Sequence, residues 1–205
     1  ESCMELKRIW NLKILMILEN HRMRRVIALT KDLFETIKKR RSVRRFKPNP
    51  VPDDIVRHIV ECGLKAPSAG NIQPWQLLII KNPELKADLA EAAFGQKFVE
   101  AAPVVVVVLA EPERSAGKYG RRGAELYSIQ DTAACGQNML LAVVGFGLGA
   151  CWVGAFDEEA AREVLDLPDH VRPVAMVPIG YAEERPTPRR PRQERPWDEV
   201  VVIIE

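Results

Sequence analysis

Gly145-Phe146-Gly147-Leu148-Gly149 is the stretch that decides between two architectures. A glycine run of this kind after a strand would suggest a doubly wound, dinucleotide-binding sheet. Here it follows Ala124 to Val144, which is long, nearly uncharged and holds Glu125 and Asp131 as its only acids. That stretch reads as a helix apolar almost all round, hence buried in the core or against another subunit. Upstream, Val104-Val105-Val106-Val107-Val108-Leu109 lies between Pro103 and Pro112 and reads as a strand covered on both faces. The chain lacks strict strand–helix alternation, so the expectation is an α+β fold, one sheet wrapped by helices.

The flanking segments fill in that frame. Asp32 to Arg41 reads as a helix with Leu33, Phe34 and Ile37 on one face, stopped by Pro48 and Pro50. Pro52-Asp53-Asp54 starts a second helix. Leu77 to Lys81 reads as a short strand, and Glu84 to Phe94 as an amphipathic helix. Glu111 to Arg122, rich in Gly, Arg, Ser and Lys, is expected to be a mobile loop. Val174 to Ile179 reads as a strand in which Pro178 implies an edge or a bulge. Val200 to Ile204 reads as a lone strand after a Pro/Arg-rich linker, needing a partner in its own sheet or a second subunit's.

Composition narrows the class. A chain of 205 residues with 47% hydrophobic and 28% charged residues fits one globular domain with an appendage. A net charge of +2 argues against a dominant nucleic-acid role, although the basic residues concentrate at 38–47 and 185–195. The four cysteines lack Cys-x-x-C spacing and the chain has only three histidines, so no metal site is expected and reduced thiols imply a cytoplasmic setting. Residues 5–29 are amphipathic with no membrane-length apolar run; Met4, Met16 and Met23 each offer a start. Residues 1–30 are therefore an N-terminal helical extension docked on the body or on a partner subunit, with a membrane-surface helix as the alternative, and residues 31–205 form the main domain.

Two stretches carry chemistry. Arg40-Arg41-Ser42-Val43-Arg44-Arg45-Phe46 packs a hydroxyl among four guanidiniums, whose planar forks match phosphate oxygens. About thirty residues on, Ala66-Pro67-Ser68-Ala69-Gly70-Asn71-Ile72-Gln73-Pro74-Trp75 is a turn-rich loop. Its amides at Asn71 and Gln73 both donate and accept, which suits a flat ligand with a polar edge. Together they point to a phosphorylated cofactor without specifying which. The alternative for the arginines is a solvated helix end, and for Trp75 and Trp152 core packing, favoured for Trp75.

The pair resembles the FMN-dependent nitroreductase family, whose members carry Arg-(Arg/His)-Ser-x-Arg followed by Pro-Ser-(Ser/Ala)-x-Asn-x-Gln-Pro-Trp. Gly147-Leu148-Gly149-Ala150-Cys151-Trp152-Val153-Gly154-Ala155-Phe156 is similar to the family's loop over the flavin ring, and Pro186-Thr187-Pro188-Arg189-Arg190-Pro191-Arg192 to its closing basic pair. The resemblance implies a nitroreductase-like fold with a central mixed sheet, and an intertwined homodimer with flavin at the subunit interface and the tail strand exchanged to the partner. It implies FMN held at the phosphate and ring edge by Arg40, Ser42 and Arg44, with Arg41 contributing a backbone contact. Val153, Gly154 and Ala155 beside Trp152 would offer backbone N–H groups to flavin N5 and O4. Pro67, Ser68 and Ala69 would touch the flavin of the other protomer, Asn71 and Gln73 would meet its polar edge, and Arg189, Arg190 and Arg192 would clamp the phosphate. Many relatives carry Glu-Gly where this chain has Gly154-Ala155, which removes a side chain from the substrate pocket.

The implied activity is hydride transfer from NAD(P)H through flavin N5 to a nitroaromatic, quinone or related small-molecule acceptor in a ping-pong cycle, with no dedicated protein acid or base. A same-fold alternative is a dehalogenase, a dehydrogenase or an enzyme that consumes its flavin. An alternative of another class is a basic module whose arginine clusters grip RNA or an acidic partner; with the enzyme reading, no nucleic acid and no membrane are involved.

Overall fold

The computed structural model of the protein describes residues 33–183 and 194–205. Helices α1 (Leu33–Lys39) and α2 (Asp53–Gly63) precede strand β1 (Trp75–Ile80). Helices α3 (Pro83–Ala92) and α4 (Phe98–Ala101) lead to β2 (Val104–Ala110). Helix α5 (Pro112–Arg122) runs through a π-helical turn (Gly123–Tyr127) into α6 (Ser128–Gly145). Then come β3 (Gly149–Ala150), α7 (Glu158–Val164), β4 (Arg172–Gly180) and a last turn, α8 (Trp197–Val200).

The sheet order is β1-β2-β4-β3, and every pairing between these strands is antiparallel. The parallel component expected of a mixed sheet is one bridge, Ser42 to Ala150, at the β3 edge. Every residue of β2 is buried, because helices cover both faces. Val105, Val107 and Leu109 pack with Leu89, Val99 and Met176 on one side. Val104, Val106 and Val108 pack with Ile59, Met139, Val143 and Val177 on the other. The unbroken valine run reflects this double burial, since a half-exposed strand would alternate. Truncating Leu109 to Ala in such a core costs about 2–5 kcal/mol.

Local chemistry sets the helix boundaries. The Asn82 side chain accepts the Leu85 N–H at 3.0 Å, with Pro83 in the first turn, and Asp157 caps α7 by accepting from Ala160 N–H at 3.1 Å. Helix α2 buries Val56, Ile59 and Gly63 along one stripe. A Cβ on Gly63 would lie 2.6 Å from Met139 Cγ, so this glycine sets how closely α2 approaches α6.

Three expectations change. Residues 111–122 form a helix rather than a loop: Pro112 opens it, and its glycines serve a sharp bend. Gly120 has φ 55° and ψ −144°, and the chain turns there so that a Cβ on Gly123 would sit 2.3 Å from the Ser115 carbonyl. Pro178 lies in an interior strand. Its carbonyl accepts from Cys151 N–H at 3.3 Å, so its missing donor faces the side where β3 is only two residues long, and β2 loses nothing. The irregularity in β4 falls instead where Val108 and Leu109 pair with Ala175 and Pro173.

The tail is the third. Trp197–Val200 is a helical turn, and residues 201–205 pair with no strand among the described residues. Val202, Ile203 and Ile204 are 82%, 74% and 92% exposed. On α1, Leu33, Phe34 and Ile37 are exposed as well. The expectations for residues 1–30 lie outside the described residues.

Candidate cofactor site

After α1 the arginine-rich segment runs extended along the β3 edge. Val43 N–H donates to the Ala150 carbonyl at 2.8 Å, beside the Ser42–Ala150 bridge. The buried Val43 side chain lies on Gly149, where a Cβ would come within 2.7 Å of Val43 Cγ2. Phe46 then bridges Ala182, and Lys47 N–H donates to the Tyr181 carbonyl at 2.9 Å. This zipper sends the arginines outward into different environments. Arg45 spends its charge on Glu183, Nε to Oε2 at 2.8 Å. The Arg44 guanidinium stands 5.7 Å from the Phe98 ring centroid, a cation–π contact that orients the fork without neutralising it. Arg40, Arg41 and Arg44 form no ion pair among the described residues.

The glycine-containing loop meets this segment at β3. Val153 is committed to the sheet: its N–H donates to the Met176 carbonyl and its carbonyl accepts from Met176 N–H, both at 2.9 Å. Val153 is therefore withdrawn as a donor to a ligand, because its single N–H is already used. Gly154 and Ala155 are exposed, and their N–H groups have no partner among the described residues. The Ala155 carbonyl accepts from Gln96 Nε2 at 2.9 Å, and Gln96 also donates to the Ala93 carbonyl at 2.9 Å, which fixes the loop. Trp152 packs on Gly136 of α6, where a Cβ would sit 2.4 Å from the indole ring, and Trp75 is buried, as core packing requires.

The loop 67–73 is wound tightly. Asn71 N–H donates to the Ser68 carbonyl at 2.9 Å, and Gln73 N–H to Ser68 Oγ at 3.0 Å. Gly70, Asn71 and Gln73 all have positive φ, at 57°, 57° and 55°. Asparagine tolerates this region, but two non-glycine residues in it within three positions represent stored strain of the kind that clusters at binding sites. Gln73 Nε2 donates to Asn71 Oδ1 at 3.2 Å, leaving the exposed Asn71 amide nitrogen free to donate. Pro67 is exposed and Ser68 half-buried beside it. Neither Arg40, Arg41 nor Arg44 bonds to this loop; it is seated instead on the far part of the chain.

That seat contains residues the sequence pattern did not single out as functional. Ala69 N–H donates to Asp131 Oδ2 at 3.1 Å. Asp131 is buried, which raises its carboxyl above the ordinary value of 3.8, while the Ala69 hydrogen bond pulls it back. An acid inside an otherwise apolar helix was the available signal. Arg114 Nε donates to the Ile72 carbonyl at 3.0 Å, and Lys118 and Tyr119 lie over Gly70. Arg189, Arg190 and Arg192 lie outside the described residues.

The residues brought together suit an anionic, ring-bearing group. Unneutralised guanidiniums, a Ser42 hydroxyl and free backbone donors at Gly154 and Ala155 share one edge, with Gly154 open enough for close backbone approach. No helix among the described residues is long and apolar enough to cross a membrane. No cluster of three or more His, Cys, Asp or Glu among them is placed to hold a metal ion.

Comparison with known proteins gives the family. A model of the nitroreductase family matches residues 37–100 and 92–181. An NADH dehydrogenase of Thermus thermophilus is 39% identical over 177 residues, covering 73% of this chain and 86% of that protein. An NADPH-dependent oxidoreductase of Staphylococcus aureus is 28% identical over 186 residues, covering 84% and 73%. The crystal structure of a nitroreductase family protein from Clostridium novyi superposes with a TM-score of 0.69 at 29% identity, covering 75% of this chain and 87% of that one. One from Streptococcus pneumoniae gives 0.73 at 25%, covering 83% and 98%.

Proposed function

The chain belongs to the nitroreductase family, and we propose that it is an FMN-dependent oxidoreductase using NAD(P)H to reduce a nitroaromatic, quinone or related small acceptor. One observation carries the cofactor assignment: the hydrogen bond from Val43 N–H to the Ala150 carbonyl, 2.8 Å. It clamps the arginine segment to the Gly149–Ala155 stretch, so two motifs about a hundred residues apart serve a single ligand. The relatives' names, NADH dehydrogenase and NADPH-dependent oxidoreductase, support the reductant.

Bound FMN would supply hydride-transfer chemistry between NAD(P)H and the acceptor in a ping-pong cycle, with Arg40, Arg44, Gly154 and Ala155 among the residues that would hold it. The chain's own residues bind and orient. Arg40 and Arg44 hold the phosphate and the electron-rich edge of the ring, where fixed cations favour the reduced, more negative form. Gly154 and Ala155 offer backbone N–H groups that need no reorganisation, because Gln96 and the Val153–Met176 bridge already fix their loop. Asn71 and Gln73 sit on a loop that makes no hydrogen bond to Arg40, Arg41 or Arg44 among the described residues, which supports a homodimer in which Pro67–Gln73 of one protomer completes the site of the other. The exposed Leu33, Phe34 and Ile37 and the tail apolars supply surface for such an interface.

Purified protein should be yellow. Arg40→Ala or Arg44→Ala should weaken FMN binding about ten- to a hundredfold, the value of one charge-assisted hydrogen bond. Lys38→Ala and Lys39→Ala are the controls, since both lysines lean toward Glu35, at 4.0 and 3.1 Å. Equal FMN affinity in all four variants removes the phosphate assignment.

A further inference from the structure

Helix α5 and the π-turn after it carry four basic side chains, of which two are paired. Arg114 meets Glu111 at 3.7 Å and Arg121 meets Glu125 at 3.1 Å. Lys118 and Arg122 make no ion pair among the described residues, although they are four apart and both exposed. Each is held by a tyrosine instead. Lys118 Nζ stands 5.4 Å from the Tyr119 ring centroid, and the Arg122 guanidinium 5.3 Å from that of Tyr127, with Arg122 Nε donating to Tyr127 Oη at 2.9 Å. The two rings meet edge to face, centroids 5.3 Å apart and planes at 82°. The result is a shelf with a cation at each end of a tyrosine pair.

Neither cation is matched by an acid among the described residues, so a shelf of this kind favours an anion that spans both. Tyrosine contacts orient the cations and leave their charge uncompensated, whereas carboxylate partners would cancel it. The shelf also has a definite address. A Cβ on Gly70 would lie 2.6 Å from both Lys118 Nζ and Tyr119 Oη, so the cationic end overhangs the loop 67–73. A hydride donor stacked at the flavin ring beside that loop carries its diphosphate away from the nicotinamide, toward whatever flanks the ring.

We propose that Lys118 and Arg122, oriented by Tyr119 and Tyr127, bind the diphosphate of the nicotinamide dinucleotide. This rests on the flavin reading of the loop 67–73. The shelf is thus a specificity device: it favours NADH or NADPH over a reductant that has the dihydronicotinamide ring and no phosphate.

The test uses the full chain as purified and the double variant Lys118→Gln/Arg122→Gln, whose changes are at exposed positions. The ratio of kcat/KM for NADH to that for 1-benzyl-1,4-dihydronicotinamide should fall ~tenfold or more, the loss coming through KM for NADH. In parallel, calorimetric titration with ADP, which carries the diphosphate without the reacting ring, should show binding to the parent chain that the double variant weakens by a similar factor. An unchanged ratio with unchanged ADP affinity overturns the proposal, as does ADP failing to bind the parent chain. Binding of a single-stranded RNA that exceeds ADP binding and depends on Lys118 and Arg122 also overturns it, in favour of a nucleic-acid surface. Colourless protein that oxidises neither reductant defeats the flavin reading instead, and the ADP titration still decides whether the shelf binds a diphosphate.

Discussion

Asp131, buried on α6, accepts the Ala69 N–H at 3.1 Å and so ties the strained loop 67–73 to the longest helix among the described residues. Burial raises its carboxyl above 3.8, so between the unfolded and folded values the native state binds more protons than the unfolded chain. Stability therefore falls as pH rises through the folded value. Urea unfolding of Asp131→Asn should lose that slope in the mildly acidic range, and an identical slope in both proteins would contradict the assignment. Asp131→Ala removes the acceptor altogether and should release the loop, seen as faster amide exchange at Ala69 and Asn71.

Trp152 and Gly136 form the second constraint. Alanine normally favours a helix interior over glycine by about 0.5–1 kcal/mol. At 136 its Cβ would sit 2.4 Å from the Trp152 ring, and overpacking of this sort costs about 1–3 kcal/mol. Gly136→Ala should thus destabilise the protein on balance and disturb the adjoining Gly154–Ala155 donors. Trp152→Phe in the same chain should recover part of the loss, giving a coupling in a double-mutant cycle. Additive effects would show that the contact is slack.

The core was the most legible part of the chain, and the reason is physical. Val104 to Leu109 has one reading because a continuous β-branched run can be satisfied only by cover on both faces, which α2 and α6 on one side and α3 and α4 on the other supply. The arginine segment and the loop 67–73 stood out in sequence by residue type, guanidinium forks in one and turn-forming amides in the other. Glu111 to Arg122 was misread because its glycines signal flexibility locally. They serve the bend at Gly120 and the close approach of Gly123 to Ser115, which only the packed structure reveals. The loss of Val153 as a donor was equally hidden, as it depends on a bridge to Met176 across the sheet. Asp131 stood out as an acid in an apolar helix, but its role, like that of the Lys118–Tyr119–Tyr127–Arg122 shelf, depends on a partner remote in sequence or on ring geometry.

Thiol reactivity should follow burial. Cys62 is exposed, whereas Cys135 and Cys151 are buried, and burial pushes the Cys135 thiol up to about 11. Iodoacetamide at pH 8 should therefore modify Cys62 before either of the others, as read by peptide mass mapping of the folded protein. Early labelling of Cys135 would mean that α6 is open to solvent against α2.

The tail gives the strongest test of assembly. Trp197, Val200, Val202, Ile203 and Ile204 are all more than half exposed, as are Leu33, Phe34 and Ile37 on α1. Full burial of one such side chain is worth about 1.5–3 kcal/mol, so the exposure of the tail apolars among the described residues favours a surface that covers them. An apolar groove of about 420 Å³, lined by Leu33, Leu141, Ala142 and Phe146 among others, lies beside the α1 residues. The proposed homodimer, exchanging its tails, would remove this exposure. In the proposed dimer the loop 67–73 of one protomer would complete the site of the other. Deleting residues 186–205 should yield protein that is colourless or aggregated, because it loses the crossing tail and the basic cluster at Arg189, Arg190 and Arg192 together. Replacing Val202, Ile203 and Ile204 with serine in the full chain separates the two effects. If the tail acts by burial, sedimentation will show the dimer weakened although every arginine remains. A truncated protein that stays yellow, soluble and dimeric would show that the tail is dispensable and would withdraw the three arginines from the site.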